Sequence, residues 1–247
     1  LVHHVIEDKN YHIWVATRQG IARLVGDKFE VFTEKQGLVD DDANYILEDK
    51  NGNIWIATNG GLSKFDGKRF INYTTFQGLP SNQIFSLWQD HRNLIWVGTD
   101  KGVCRFDGKN FEVFTTEDGL LDNTINCIFQ DAKLNLWFGT PRGACRLNNL
   151  DGKFEIFSEK QGITGAINSG LKDKQNQIWL TSDEGVYVLQ DDVLKEKILP
   201  QNGLAGDFIN CILQDANANI WFGGNLGVSK ITNRRFMILD APNGLLK

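Results

Sequence analysis

Residues 78–120 read GLPSNQIFSLWQDHRNLIWVGTDKGVCRFDGKNFEVFTTEDGL, and the pattern they carry returns six times along the 247-residue chain. Tryptophan is the ruler: Trp14, Trp55, Trp96, Trp137, Trp179 and Trp221 stand 41, 41, 41, 42 and 42 residues apart. Six residues before each is an aspartate (Asp8, Asp49, Asp90, Asp131, Asp173, Asp215), and six residues after each is a glycine (Gly20, Gly61, Gly102, Gly143, Gly185, Gly227). A second glycine, followed by Leu or Ile, closes every unit at Gly37, Gly78, Gly119, Gly162, Gly203 and Gly244. Such self-similarity is the signature of a repeat architecture and decides the fold before any local propensity does.

Residues 43–75 show what one unit builds. Ala43 to Leu47 is a first short strand, and Asp49 to Asn53 a polar turn in which the carboxylate can accept nearby backbone N–H groups. Ile54 to Thr58 is a second strand, rich in β-branched and aromatic residues. Asn59-Gly60 is a hairpin turn, Leu62 to Phe65 a third strand, Asp66-Gly67 another hairpin turn, and Phe70 to Thr74 a fourth strand. No segment sustains a helical period. Four-stranded units of this length with a recurring Trp are propeller blades, so the expected fold is all-β: a six-bladed β-propeller with four antiparallel strands per blade. The expected blades are approximately 1–38, 39–79, 80–120, 121–163, 164–204 and 205–247, forming one domain. Gly244 and the residues after it begin a seventh connector that Leu1 onward resumes, so six units close in phase.

Composition bounds the function. Apolar residues make up 41% and charged residues 23%, which excludes wholesale disorder. A net charge of −5 argues against a nucleic-acid partner, whose phosphates need a basic footprint. No apolar run approaches the roughly 18 residues of a membrane-spanning helix, so this domain is expected not to insert in a bilayer. The opening Leu-Val-His-His-Val-Ile has neither a basic start nor a small-residue cleavage site, and no signal peptide is legible. Without an initiating Met, the chain reads as a domain whose targeting segment lies elsewhere. Cys104, Cys127, Cys145 and Cys211 fall at two repeat positions within apolar strands, without metal-ligand spacing, and are expected to be buried free thiols.

The 78–120 unit resembles the two-component regulator propeller repeat: Gly-Leu-Pro-Ser-Asn, an Asp turn leading into Ile-Trp-Val-Gly-Thr, then Gly-Val-Cys-Arg-Phe-Asp-Gly and an aromatic strand ending Thr-Thr-Glu-Asp-Gly-Leu. All six units carry the pattern. Units 5 and 6 drift: residues 162–173 lose one position, and Asp191-Asp192 and Asn233-Arg234 stand where Asp-Gly is expected. The resemblance implies a periplasmic sensor region of bacterial hybrid sensor kinases, often those regulating glycan use. It implies sensing and signal transduction, with no catalytic residues and no cofactor to carry over.

Repetition separates scaffold from candidate site. Columns identical in all six units serve the blade, whereas columns that differ are free to serve a ligand. The connectors between blades share a face with the strand two–three turns, and on that face the copies diverge, with Arg18 and Arg142 in two of the turns and Asp41 in the Asp40-Asp41-Asp42 connector. One column of the innermost strand reads His3, Asn44, Phe85, Asn126, Asn168 and Asn210, a set of polar groups expected at the mouth of the axial channel. Phe76 and Phe208 are aromatic outliers in polar connectors, suited to stacking on sugar rings. The competing reading of this column is that its amides bond water or adjacent backbone.

Three chemistries fail on the residues. His3 and His4 are adjacent on a strand, so alternation points them to opposite faces and away from a shared metal. Asp49-Lys50-Asn51-Gly52-Asn53 opens like a calcium loop, but its Gly is misplaced and the acidic twelfth position is missing. The Asp40-Asp41-Asp42 run suits a solvated loop better than paired carboxylates. The leading expectation is a non-catalytic binding module for a small molecule or oligosaccharide. A second is a docking platform for a signalling partner or another copy, and a third is a propeller lyase or hydrolase, for which only His3, His4, His12 and His91 are on hand.

Overall fold

The alternation and turn chemistry of each unit build one antiparallel meander. In the computed structural model, which describes residues 1–232 and 235–240, there are six four-stranded sheets, each taking its strands in chain order. The chain is a six-bladed β-propeller with four antiparallel strands per blade, as the repeat predicts. The turn expected at Asn233-Arg234 and the connector at Gly244 lie outside the described residues.

The blades group into two compact units, Leu1–Glu117 with Asn123–Ile125, and Asp118–Asp122 with Asn126–Lys247. In the first unit, blade 1 is β1 (Val2–Glu7), β2 (Ile13–Thr17), β3 (Gly20–Val25) and β4 (Lys28–Phe32). Blade 2 is β5 (Ala43–Glu48), β6 (Ile54–Thr58), β7 (Leu62–Phe65) and β8 (Phe70–Tyr73), and blade 3 is β9 (Ile84–Gln89), β10 (Ile95–Thr99), β11 (Gly102–Phe106) and β12 (Phe111–Phe114). In the second unit, blade 4 is β13 (Cys127–Gln130), β14 (Leu136–Thr140), β15 (Gly143–Leu147) and β16 (Phe154–Phe157). Blade 5 is β17 (Ile167–Lys172), β18 (Ile178–Ser182), β19 (Gly185–Gln190) and β20 (Val193–Ile198). Blade 6 is β21 (Ile209–Gln214), β22 (Ile220–Gly224), β23 (Gly227–Thr232) and β24 (Arg235–Leu239).

The Trp column packs between blades. Trp14 of blade 1 meets Phe65 of blade 2 at a centroid distance of 6.1 Å, and Trp55 of blade 2 meets Phe106 of blade 3 at 6.0 Å. In the second unit Trp179 of blade 5 lies 5.9 Å from Phe222 of blade 6. Burying one such indole is worth about 5 kcal/mol of transfer free energy, before the entropy of ordering it is counted.

The Asp column pins each Trp. One carboxylate oxygen accepts backbone N–H groups of its own turn, and Oδ2 accepts the indole N–H six residues on: Asp8–Trp14 at 2.8 Å, Asp49–Trp55, Asp90–Trp96, Asp173–Trp179 and Asp215–Trp221 at 2.9 Å, and Asp131–Trp137 at 3.0 Å. The backbone half of this network is what an aspartate turn predicts; the indole half needs the folded hairpin. At Asp49 burial opposes ionisation, but the donors of Trp55, Asn53 and Asn51 outweigh it and hold the carboxyl below its ordinary range. All of its acceptor geometry is spent on the blade, so Asp49 to Asn53 is a turn and His12, which bonds Asp8 Oδ2 at 3.0 Å, does the job that Asn53 does in blade 2.

Among the described residues, five connectors each hold a single 3-10 turn, too short to show a helical period in the sequence. In the first, Thr33 caps Glu34–Gln36 and Gly37 ends it in the left-handed region, φ 104°. The cysteines correct one expectation. All four are free and Cys104 and Cys145 are buried, but Cys127 is half-buried and Cys211 is exposed. Cys104 and Cys145 lie on strand three, inside their sheets, whereas Cys127 and Cys211 lie on strand one, at a sheet edge.

Candidate functional site

Connectors and strand two–three turns meet on one side of each blade. In the first unit Gly20 N–H donates to Asp41 O at 2.7 Å, Asn59 N–H to Asp42 O at 3.1 Å, and Gly102 N–H to Asn123 O at 2.6 Å. In the second, Asp183 N–H donates to Ala166 O at 3.3 Å and Asn225 N–H to Phe208 O at 3.1 Å. The side on which the copies diverge is therefore a cross-linked surface and not a set of free loops.

The polar column of strand one proves to sit in a bulge. In β1, β5, β9, β17 and β21 the pairing with strand two skips one residue, and the skipped residues are His3, Asn44, Phe85, Asn168 and Asn210. A bulge re-aims the side chain it carries. Here it aims the amide at the next blade: Asn44 Nδ2 donates to Ile84 O at 2.9 Å and Asn168 Nδ2 to Ile209 O at 3.1 Å, and Asn126 Nδ2, just before β13, makes the same reach to Ile167 O at 3.0 Å. His3 Nδ1 makes the same reach to Ala43 O at 2.9 Å. Phe85 has no donor, and the neighbouring Ser86 Oγ reaches Ile125 O at 3.4 Å instead. These donors latch blade to blade, and Asn210 is exposed.

The same bulge corrects the reading of the two adjacent histidines. Both imidazoles turn toward blade 2, His3 to Ala43 O and His4 to Ile46 N–H at 3.3 Å, because an inserted residue breaks strict alternation. His4 stacks on Tyr45 with ring centroids 3.8 Å apart, and burial lowers its pKa from 6.5 to about 4. Below pH 6.5 the unfolded chain therefore binds a proton that the folded chain refuses, and stability is lost as pH falls through this window. The expected loss from this group is about 3 kcal/mol by pH 4. Urea unfolding of the chain and of His4→Phe at pH 7 and pH 4 checks this: the variant should lose less stability on acidification.

Asp41 Oδ1 caps the 3-10 turn through Glu34 N–H at 2.8 Å, the role Asn82 and Asn123 play in the next two connectors toward Thr75 and Thr116. Its neighbour Asp42 carries the unusual chemistry. Asn44 Nδ2 also donates to Asn59 Oδ1 at 2.9 Å, and Asn59 Nδ2 donates to Asp42 Oδ2 at 2.8 Å, while Asp42 Oδ1 is buried with no hydrogen-bond partner. Asp100 Oδ1, in the strand two–three turn of blade 3, is buried and unpartnered too. A buried acceptor left unpaired costs stability and calls for a donor. Phe76 is 95% exposed on its connector, Phe208 40%, and Arg18 and Arg142 are exposed at their turns. Of the residues predicted for a site, the structure thus joins Asn44 to Asp42 through Asn59, and leaves Phe76 and Arg18 as separate exposed groups of the first unit. No periodicity or motif singles out Asp42 and Asp100; their signal is burial.

Comparison with known proteins agrees with the repeat. The family model described as "Two component regulator propeller" matches residues 37–60, 78–101 and 119–142, each a connector with strands one and two of the blade after it. No curated protein matches the chain. Among solved structures, it is similar to the extracellular domain of the putative hybrid two component system BT4673 from B. thetaiotaomicron, at 22% identity and a TM-score of 0.58, over 98% of this chain and 37% of that one. It is similar to virginiamycin B lyase from Staphylococcus aureus at 13% identity and a TM-score of 0.79, over 97% and 84% of the two chains. A third match is PorZ, a surface component of the type-IX secretion system of Porphyromonas gingivalis, at 16% identity and a TM-score of 0.73, over 97% and 38%. The chain spans little more than a third of the length of the two-component extracellular domains it matches, and at these identities the likeness is one of fold. What the matched segments, the spacing and the blades establish together is that this chain carries the two component regulator propeller repeat.

Proposed function

We propose that this chain is the ligand-recognising propeller of an extracytoplasmic signal-transduction protein, and that it acts by binding without turnover. The ligand is a hydroxyl-rich molecule such as an oligosaccharide, held on the connector side of blades 2 and 3. The observation that carries this reading is the pair of buried, unpartnered carboxylate oxygens, Asp42 Oδ1 and Asp100 Oδ1, on the side where the repeats diverge. Both side chains are partly exposed, so a small rotation of either carboxylate would bring its unpaired oxygen to the surface. Sugar hydroxyls there supply the missing donor, and the exposed ring of Phe76 offers a face to stack on. The family match supports a role in signalling, and the BT4673 structure is an extracellular domain. Among the described residues no helix is long and apolar enough to cross a membrane.

Thermal-shift and calorimetric screening against neutral oligosaccharides tests the proposal. A ligand at 100 times its Kd adds about 2.7 kcal/mol to stability, a readily measured shift. Asp42→Ala combined with Asp100→Ala should weaken binding by about tenfold or more, since each lost charge-assisted hydrogen bond is worth more than a neutral one. Equal binding by that double variant, or no oligosaccharide binding at all, would overturn it. The exposure of Phe76 (95%) favours the second reading, a protein-docking surface on the first unit, which predicts concentration-dependent assembly with no response to sugars.

A further inference from the structure

In the second unit, blade 6 exposes a face that blades 4 and 5 keep covered. Across strands one to three, blade 4 aligns Phe129, Trp137 and Arg146, and blade 5 aligns Leu171, Trp179 and Val188. Phe129, Trp137, Trp179 and Val188 are buried, and the last two share one apolar cluster with Ile220 and Phe222 of blade 6. In blade 6 itself the same row reads Leu213, Trp221, Lys230 and Met237. Leu213 is 55% exposed and Met237 56%, and Cys211, two residues along strand one on the same face, is exposed too.

In the first unit, blade 1 exposes the complementary face. Ile54, Ile56 and Phe65 of blade 2 are buried in the cluster that holds Trp14, and Ile95, Val97 and Phe106 of blade 3 in the cluster that holds Trp55. At the same repeat positions blade 1 carries Ile13, Val15 and Leu24, which are only half-buried. In register with them, Val5 is 51% exposed, Phe29 60% and Val31 55%. A contiguous apolar patch of this kind marks an interaction surface.

The hydrogen-bond latches are open at the same two places. Between blades 5 and 6, Asn168 Nδ2 donates to Ile209 O at 3.1 Å and Lys174 N–H to Gln214 Oε1 at 3.0 Å. Between blades 2 and 3, Asn44 Nδ2 donates to Ile84 O at 2.9 Å and Lys50 N–H to Gln89 Oε1 at 2.8 Å. The corresponding donors of blade 6 are Asn210 and Ala216 N–H, and the corresponding acceptors of blade 1 are Val2 O and the Glu7 carboxylate. All four residues are exposed.

We propose that the exposed face of blade 6 docks on the exposed face of blade 1 in a second copy of this chain, so that blade packing continues from one molecule into the next. Continuity with the packing inside each unit selects this occupant. An inner blade offers its neighbour an apolar row, a strand-one carbonyl and a side-chain acceptor, and blade 1 carries all three uncovered. The contact joins two different faces, so each added copy leaves one face of each kind free and assembly proceeds head to tail. It uses neither the connector side nor Phe76.

Sedimentation velocity at rising protein concentration tests the inference. The chain should pass from monomer to dimer and then to larger species. Leu213→Lys and Phe29→Lys each bring an ammonium into one half of the interface, and each should weaken association by about tenfold or more. Both residues are exposed in the single chain, so each variant should keep the unfolding midpoint of dilute wild type. An equimolar mixture of the two is the discriminating sample. Phe29→Lys retains an intact blade 6 and Leu213→Lys an intact blade 1, so the mixture should form dimers that grow no further. Cys211 should react more slowly with a maleimide in that mixture than in either variant alone. Phe76→Ala should assemble as wild type does. A monomer at every concentration, a mixture that stays monomeric, or assembly lost in Phe76→Ala would each overturn the assignment, the last in favour of docking through the connector side.

Discussion

Asp90→Ala is expected to destabilise the chain by about 3–5 kcal/mol, the largest loss from any single polar truncation in the blades. Asp90 is 1% exposed, and its carboxylate accepts Arg92 N–H at 2.8 Å, Leu94 N–H at 3.0 Å and the Trp96 indole N–H at 2.9 Å. Truncation strands all three donors. The indole is the costly one, because Trp96 is fully buried and water cannot replace the lost acceptor. Asp90→Asn separates the contributions: its amide oxygen still accepts the backbone N–H groups, while its NH₂ faces the indole N–H donor to donor. The asparagine variant is therefore expected to fall between wild type and alanine. Urea unfolding of the three proteins checks the order, and a loss below about 1 kcal/mol for Asp90→Ala would show that the turn re-forms its bonds with water.

Gly102→Ala is expected to cost about 3 kcal/mol or more, through two effects that a control can divide. Gly102 opens β11 at φ 114°, outside the region that L-residues adopt readily, and a Cβ there would lie 2.5 Å from the carbonyl oxygen of Phe114 at the end of β12. The oxygen belongs to backbone and the position of a Cβ is fixed by the backbone that bears it, so neither can move without shifting a strand. Gly108, in the Asp107-Gly108 hairpin turn, has a comparable φ of 98° but open space where its Cβ would stand. Gly108→Ala should then cost only the conformational part, about 1 kcal/mol. Thermal unfolding of both variants measures the difference, which is the energy of the close approach between strands three and four. Equal losses would mean that the backbone relaxes around the added methyl.

The same contrast between columns and exceptions runs through the candidate sites. The repeat pattern picked out the varying side of the blades, and within it Asp41, Asn44 and Phe76. Of the two readings of its column, Asn44 fits the one in which the amide bonds adjacent backbone, but nothing in a string of strand residues marks the bulge that turns it onto Ile84 O. Nor did the pattern mark Asp42 over Asp41: three consecutive aspartates look alike until one caps a turn, one bonds a backbone N–H and one is left with a buried free oxygen.

What the sequence by itself determined is the blade: its length, its four strands, its turns, and the number of its copies. Those features rest on interactions between residues close in the chain, namely hairpin turns, alternation and an aspartate that bonds its own loop, and so they are written locally and written six times. Tertiary structure alone decided which polar groups are spent and which are free. An amide, a carboxylate or an ammonium has the same letter whether it is bonded across 40 residues or left unpaired, and the difference arises only when one blade is laid against the next.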